Sequence, residues 1–500
     1  MSANQVETDV AIVGFGPIGA TLAALLGRRG IGVIVIDQDV DVYALPRAAH
    51  IDHQSLRLLQ ELGCVDELLV QMLPNPGVDF VTASRELLMR IPGNLRSVSG
   101  LPASMYFHQP SFDRVIRRVA NALAAVDVRL GTRMVALEMG EHGAVLHTHG
   151  PAGAKARIAA RWVIGCDGAG SMVRGAAELP LENLDFDERW VVVDLVLRRA
   201  VATLPNRAIT VCDAKRPLFA IPLPGSRFRF ELQMHDDENP LEIQKPASVF
   251  ALLSEWLEPE DGEIERAAVY RFHGLVARPW RRGPVFLAGD AAHQMPPFLG
   301  QGMNSGLRDA ANLAWKLAMV VGGKAPDRLL DTYEGERRPH VTEIVQAAVR
   351  YGAIICETDP ALAAERDRRW LDHSGPPEGR LPFKLPSLVP GPLVLAGGGE
   401  LFPQPEASAA AVRLDDFLSG RFLVVVPEAQ RALESARWWS GLGAMVCALE
   451  DLPDPSGQVA TWMEKRSVQT VVVRPDHYVL ASGQSLDTIT GMVRSLLSVT

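Results

Sequence analysis

The chain has little that points to secretion, nucleic acid or a membrane. Its 500 residues include only five cysteines, Cys64, Cys166, Cys212, Cys356 and Cys447, far apart and odd in number. They form no CxxC pair and no metal-type spacing, which argues against a disulfide framework, a thiol redox motif or a bound metal. Lys and Arg number 50 against 59 Asp and Glu, a formal charge of −9, and no basic block stands out. Neither nucleic acid nor an anionic membrane surface is therefore an expected partner. Apolar runs are short, and the first, Val10 to Val13, stops at Gly14; a bilayer span needs roughly 20 such residues. No leader of basic, apolar and small residues is visible, so the expectation is a reduced, cytoplasmic protein. With 47% hydrophobic and 22% charged residues, the composition is that of a folded chain long enough for two or three domains.

What is present is clearest at the N-terminus. Residues 8–13 are a β-branched run that reads as a buried strand, followed by Gly14-Phe15-Gly16-Pro17-Ile18-Gly19. The spacing predicts a helix over 20–29, ended by Gly30, then a second buried strand over 31–36 closing on Asp37. That is a strand–helix–strand unit with parallel strands. In this setting GxGxxG is a dinucleotide fingerprint. Gly14 permits the tight turn, Gly16 lets backbone amides approach a pyrophosphate, and Gly19 lets helix and strand pack closely. Pro17 belongs to the same turn. The helix start offers free N–H groups and a positive dipole end. Asp37 is placed to accept hydrogen bonds from a ribose. The fingerprint alone does not choose between NAD and FAD.

Further along, leucine spacing predicts a helix over 56–69, and another is expected over 112–125 with Ser111 as N-cap. Residues 126–149 read as an antiparallel ribbon, and 161–166 as a strand running into Asp167-Gly168. Residues 190–197, 218–223 and 228–234 read as strands of a second sheet, with Pro222-Leu223-Pro224-Gly225 as a turn. A short buried strand over 285–288 precedes Gly289-Asp290, and 302–321 is a long helix. Residues 373–399 are rich in Pro and Gly and read as a linker. Beyond them a small α/β domain is suggested by strands near 422–426, 444–449, 470–475 and 478–480 and a helix over 427–442.

Gly289-Asp290-Ala291-Ala292-His293, followed by Pro296-Pro297-Phe298-Leu299-Gly300-Gln301-Gly302-Met303-Asn304, resembles the group A flavoprotein aromatic monooxygenases of the para-hydroxybenzoate hydroxylase type. Three shorter runs are similar to the same family: Cys166-Asp167-Gly168, Leu45-Pro46-Arg47-Ala48 and Phe107-His108-Gln109-Pro110. The resemblance is nearest to the 3-(3-hydroxyphenyl)propionate hydroxylase and phenol hydroxylase branch. It covers roughly the first 350 residues well. It implies an α/β fold with a Rossmann-like FAD-binding domain over 1–180 and 276–372. A mixed-sheet, α+β substrate domain over 181–275, with parts of 70–110, would be inserted into it. A linker over 373–399 and a thioredoxin-like domain over 400–500 would follow. It also implies FAD, NADH or NADPH as co-substrate, a small aromatic substrate, dioxygen and a homodimer.

In that family Asp290 would bind the ribityl chain, Arg47 and Gln109 would reach the flavin, and Asp167-Gly168 would serve both FAD and the nicotinamide. Pro297 and Gly300 would lie against the reactive edge of the ring. The run Gly300, Gln301, Gly302, Met303 and Asn304 opens a helix whose amides can stabilise an anionic reduced flavin. The reaction implied is reduction of FAD by NAD(P)H, then hydroxylation of a phenolic ring through a flavin C4a-hydroperoxide kept dry by apolar neighbours. His50, Asp52 and His53 are candidate bases for the phenol. Phe219, Ile221 and Leu223 alternate onto one apolar face that would line the substrate pocket, with Tyr270 and His273 near it. His293 reads as structural. No serine–arginine pair stands there to hold a carboxylate. The alternatives are Baeyer–Villiger or polycyclic natural-product oxygenation on the same fold, and a non-catalytic FAD-binding sensor. The WxWxIP signature of the flavin halogenases is absent.

Overall fold

The computed structural model describes residues 4–498 except 44–45, 94, 374, 381–382, 407–411 and 484. The expected Leu45 end of the arginine loop therefore lies outside the described residues, as do three positions of the 373–399 segment.

The first sheet is a parallel stack in the order Val285–Leu287, Lys155–Gly165, Asn4–Val13, Val33–Ile36 and Val126–Arg129. Val33–Ile36 is buried at every position, as parallel strands covered on both faces require. The helices Pro17–Arg28 and Gly302–Val321 pack together beside it, where Gly306 comes so close to Ile18 that a Cβ would sit 2.7 Å from it. The stretch 126–149 is not one ribbon. Its first four residues join the parallel sheet, and only Arg133–Gly140 and Gly143–His149 form the antiparallel hairpin. The helix expected from 112 begins earlier, at Gln109–Asn121, because Pro110 fits the first turn, where its missing N–H costs nothing. Ser111 is therefore inside the helix and does not cap it. The helix expected over 56–69 breaks at Gly63, whose φ is +75°, into His53–Glu61 and Val65–Leu69.

Among the described residues the second sheet has eight strands, beginning with the short His293–Gln294 paired with the next strand. Gly262–Ala277 and Leu181–Leu197 run antiparallel, followed by Arg227–Gln233, Leu218–Leu223, Ala208–Val211, Gly77–Val81 and Leu87–Pro92. Strands from 77–92 and from 181–277 thus share one sheet. The alternation expected over 218–223 is present: Leu218 and Ala220 pack with Val193 and Phe230, while Ile221 and Leu223 pack with Tyr106 on the other face.

The C-terminal sheet is ordered Met445–Cys447, Leu423–Val425, Val471–Val473, Val479–Ser482, with the first pair parallel and the other two pairings antiparallel. The helix expected over 427–442 is confined to Glu434–Gly441. This unit shares the main core: Phe422 meets Trp315 edge-on at 5.3 Å. Across the same boundary Arg57 chelates Asp415 at 2.7 Å, and both side chains are buried. The expected linker packs too. Leu388, Leu393 and Val394 are buried, and the Leu395 amide donates to the Leu480 carbonyl.

Candidate active site

A cavity of about 1390 Å³ is lined by both large sheets and by the C-terminal unit, larger than the roughly 300–1,000 Å³ of a pocket for one small molecule. Of the residues singled out by sequence, Gly14, Gly16, Pro17, Asp37, Arg47, Gln109, Asp167, Gly168 and Asp290 line it. So do Pro297, Gly300, Gln301, Gly302, Met303, His50, Asp52, Phe219, Ile221 and His273. Gly19, Gly289, Asn304 and Leu223 do not, and each has another task.

The three fingerprint glycines divide the work. At Gly14 (φ +100°) a Cβ would meet the Cys166 carbonyl oxygen at 2.4 Å, and at Gly19 it would meet the Gly14 carbonyl oxygen at 2.0 Å. Both are required by close backbone contact. At Gly16 a Cβ would meet nothing within 4 Å, so this glycine keeps cavity space open. The helix that starts at Pro17 has no side-chain cap, which leaves first-turn N–H groups directed at the cavity. Asp37 accepts from the Phe15 amide at 2.7 Å and the Asp39 amide at 2.9 Å, with Arg117 3.5 Å away. Burial pushes the neighbouring Asp113 up to about 7, against the pull of Arg117. Sequence reading had no signal for that.

Gly289, at φ +63°, lies against Ile18, where a Cβ would come within 2.9 Å. It is a packing glycine, and its neighbour Asp290 faces the cavity with no hydrogen bond or ion pair among the described residues. The turn is held from behind by Asp309, which accepts from the Gly289 amide at 3.2 Å, pairs with His293 at 2.7 Å and takes Arg337 Nε at 2.8 Å. His293 is thus structural, as expected. Neither Asp309 nor Arg337 was given a role from sequence.

The second glycine turn opens Gly302–Val321, again without a side-chain cap. Asn304 is fully buried and does not reach the cavity. Its Nδ2 donates to the Gly300 and His50 carbonyls, and its Oδ1 accepts from the Asp52 amide and from Ser55 Oγ. It is a strut that sets the turn. Gln301 is tied to Arg308 at 2.6 Å.

His50 sits behind Gly300, where a Cβ would meet its Nδ1 at 2.8 Å. The Gly300 carbonyl, 3.1 Å from Nδ1, can only accept, so Nδ1 carries the proton and Nε2 accepts from Ser104 Oγ at 2.6 Å. Asn75 Nδ2 donates to Ser104 Oγ at 2.7 Å, and Tyr106 O–H donates to Asn75 Oδ1. All four side chains border the cavity. Burial pushes the His50 imidazole below its usual range, although Gly300 and Asp52 pull the other way. Asp52 does not fit the expected part of a base. Its Oδ1 caps the helix His53–Glu61, and its Oδ2 takes Arg308 at 2.8 Å. Burial opposes its ionisation, but Arg308, His53 and the Ser55 amide together hold the carboxyl well below the usual carboxylate range.

The arginine loop is clamped from the second sheet. Gln109 Oε1 accepts from the Arg47 and Ala48 amides at 2.7 and 2.8 Å, so its carbonyl positions the loop. Arg229 donates to the Pro46 and Arg47 carbonyls at 2.7 Å, and Arg266 also donates to Pro46. Asp194 lies between the two guanidiniums, in register with both. Leu223 fills the apolar cluster around Tyr106 and is not a pocket residue, because it lies beyond Phe219 and Ile221 towards the strand end.

Two uncapped helix starts, an unpartnered carboxylate and a glycine-kept opening around one cavity define a dinucleotide-binding oxidoreductase, and they fit FAD. Comparisons with known proteins agree. Residues 7–348 match the FAD binding domain family, and 399–497 match the HcaD C-terminal domain. The chain is 34% identical to a probable NADH-specific resorcinol 4-hydroxylase of Rhodococcus jostii, over 99% of this chain and 96% of that one. It is 33% identical to a 3-(3-hydroxy-phenyl)propionate/3-hydroxycinnamic acid hydroxylase of Burkholderia cenocepacia, over 96% and 94%. The fold matches the flavin-dependent monooxygenase PieE with a TM-score of 0.82 at 22% identity, covering 99% of this chain and all of that one. The chain belongs to the FAD-binding domain family, among its flavin-dependent aromatic hydroxylases. No helix among the described residues is long and apolar enough to cross a membrane.

Proposed function

We propose that the protein uses NADH and dioxygen to hydroxylate a small phenol of the resorcinol type. The observation that carries this reading is the ordered chain Tyr106–Asn75–Ser104–His50–Gly300, which links a neutral, buried imidazole to the cavity wall beside the glycine turn. FAD, when bound, supplies hydride acceptance and the activation of dioxygen.

The chain's own residues divide the remaining work. Gly14, Gly16, Pro17 and the helix start would hold the diphosphate, Asp37 a ribose, and Asp290 the ribityl hydroxyls. Asp167 and Gly168 border the same dinucleotide. Arg47 is presented to the ring by Gln109, Arg229 and Arg266. Pro297, Gly300, Gln301, Gly302 and Met303 would border the ring, where the uncapped amides would favour negative charge. The phenol stands against Phe219 and Ile221, with Tyr270 and His273 bordering the same cavity. Its hydroxyl donates to Ser104 Oγ. As Ser104 passes its own proton to His50 Nε2, it takes the phenol's proton, and electron density at the ring carbon rises. The Gly300 carbonyl and the Asp52 carboxylate then steady the imidazolium. Phe298, Leu299 and Met303 keep water out.

The same reading divides the chain into 1–180 with 276–372 for the dinucleotide, 181–275 with parts of 70–110 for the substrate, 373–399 as a linker, and 400–500 as a thioredoxin-like unit. The last is supported by its strand order and senses. A cytoplasmic homodimer belongs to the same reading, through the family resemblance.

Stopped-flow and steady-state oxidation of NADH by the FAD-loaded protein test the function. Resorcinol should stimulate NADH consumption, with one dihydroxylated ring gaining one oxygen per NADH and little peroxide. Stimulation with peroxide as the only product, or none by any phenol, contradicts the reading.

A further inference from the structure

The cavity does not end at the ring site. Its outer part is bordered on one side by Leu95, Arg96 and Val98 and on the other by Glu400, Trp462 and Arg466 of the C-terminal unit. Leu95 and Val98 are 59% and 46% exposed. They give this rim apolar surface over which a ring can pass.

The facing wall is built from aromatic and cationic groups. The Arg466 guanidinium lies 4.2 Å from the Trp462 ring centroid and donates to the Glu400 carboxylate. Phe402 meets the same indole edge-on at 5.4 Å. Phe383 and Tyr478 line the same cavity. A flat, electron-rich ring bearing hydroxyl groups suits such a surface: it can stack on aromatic edges while the guanidinium meets its π face or its oxygens.

The two walls are bonded to each other. The Gln404 amide donates to the Val98 carbonyl at 2.8 Å, and Gln404 Nε2 donates to the Ser99 carbonyl at 2.7 Å. His53, itself in the cavity wall, bonds Ser99 Oγ at 2.8 Å, and Tyr478 O–H donates to Gln54 Oε1 at 3.0 Å. From there the helix start at Asp52 leads to His50 and Ser104.

We infer that the C-terminal unit forms the outer wall of the channel by which the phenol reaches the ring site, and that Trp462 and Arg466 select phenols by ring size. This rests on the phenol-hydroxylase reading above. The two residues are positioning groups for entry and take no part in the chemistry. Their effect belongs in kcat/KM and in the ranking of substrates.

The test compares wild type, Trp462→Ala, Trp462→Phe and Arg466→Gln as FAD-loaded proteins, with resorcinol and a dihydroxynaphthalene as probes. Trp462→Ala should lower kcat/KM for resorcinol by about threefold to tenfold, the size of one aromatic contact, with a smaller change in kcat. It should also shift the resorcinol-to-naphthalene ratio towards the larger ring. Trp462→Phe should restore both values, and Arg466→Gln should act in the same direction as Trp462→Ala. An active wild type whose variants keep the same kcat/KM and the same substrate ratio overturns the inference. So does a variant that changes only FAD content or melting temperature, since that is a structural role. A wild type that no phenol stimulates fails earlier, at the proposed function itself.

Discussion

Single residues decide two things, whether the cofactor turn can form and whether a base stands beside the ring. The first concerns the glycines. Gly16→Ala adds a Cβ where nothing stands within 4 Å, whereas Gly19→Ala drives one onto the Gly14 carbonyl at 2.0 Å. Gly16→Ala should fold with a near-native far-ultraviolet spectrum but bind FAD more weakly, measured by flavin fluorescence titration. Gly19→Ala should give little folded protein. The second concerns His50. Removing a general base costs typically 10²–10⁴-fold, so His50→Asn should lower kcat by about 100-fold while FAD stays bound. Burial lowers the imidazole's pKa, so the neutral form persists through neutrality. The acid limb of kcat/KM should fall below the ordinary histidine value of about 6.5, and a limb above that value would argue against His50. The fingerprint was legible because strand, turn and helix are contiguous, and His50 was legible as a candidate. Ser104 and Asn75 were not: they come from separate segments, and nothing local marks a serine that will face a histidine 54 positions away.

Elements tell a similar story. Periodicity found the alternation of Leu218–Leu223 and matched the bounds of Gly302–Val321. It did not find the Arg229–Asp194–Arg266 group, which exists only when three strands pair in this register. It also misjudged Leu223, because alternation gives the face of a strand but not how far along that face the cavity extends. Removing one member of a buried ion group leaves the others uncompensated, at a cost of about 3–5 kcal/mol. Asp194→Ala should therefore lower the stability measured in urea by about that amount and loosen the Pro46–Arg47 loop, seen as faster loss of FAD on dilution. Unchanged FAD retention would mean that the clamp does not present the loop to the cofactor.

For the whole molecule, the telling feature is that the C-terminal unit is fused to the rest. Phe422 meets Trp315, Arg57 meets Asp415, and Arg474 reaches Glu336 at 2.8 Å. Composition suggested a linker and a separate small domain, and the strands were legible. The docking was not, since its partners lie hundreds of residues apart. One cooperative thermal transition is expected in calorimetry. Two well-separated transitions would show that the units are independent. Asp309, Asp415 and Asp476 all have carboxyls held below the usual range: burial opposes ionisation, but His293 and Arg337, Arg57, and Arg474 respectively outweigh it. Their contribution is present above the unfolded value near pH 4 and is lost as pH falls through the lower folded values, so stability should drop below about pH 4. The measurement that tests the central claim most directly is turnover of resorcinol with NADH under isotopically labelled dioxygen, followed by mass spectrometry of the product. One labelled oxygen on the ring is expected for each NADH consumed. A product without label, or label found only in peroxide and water, would contradict it.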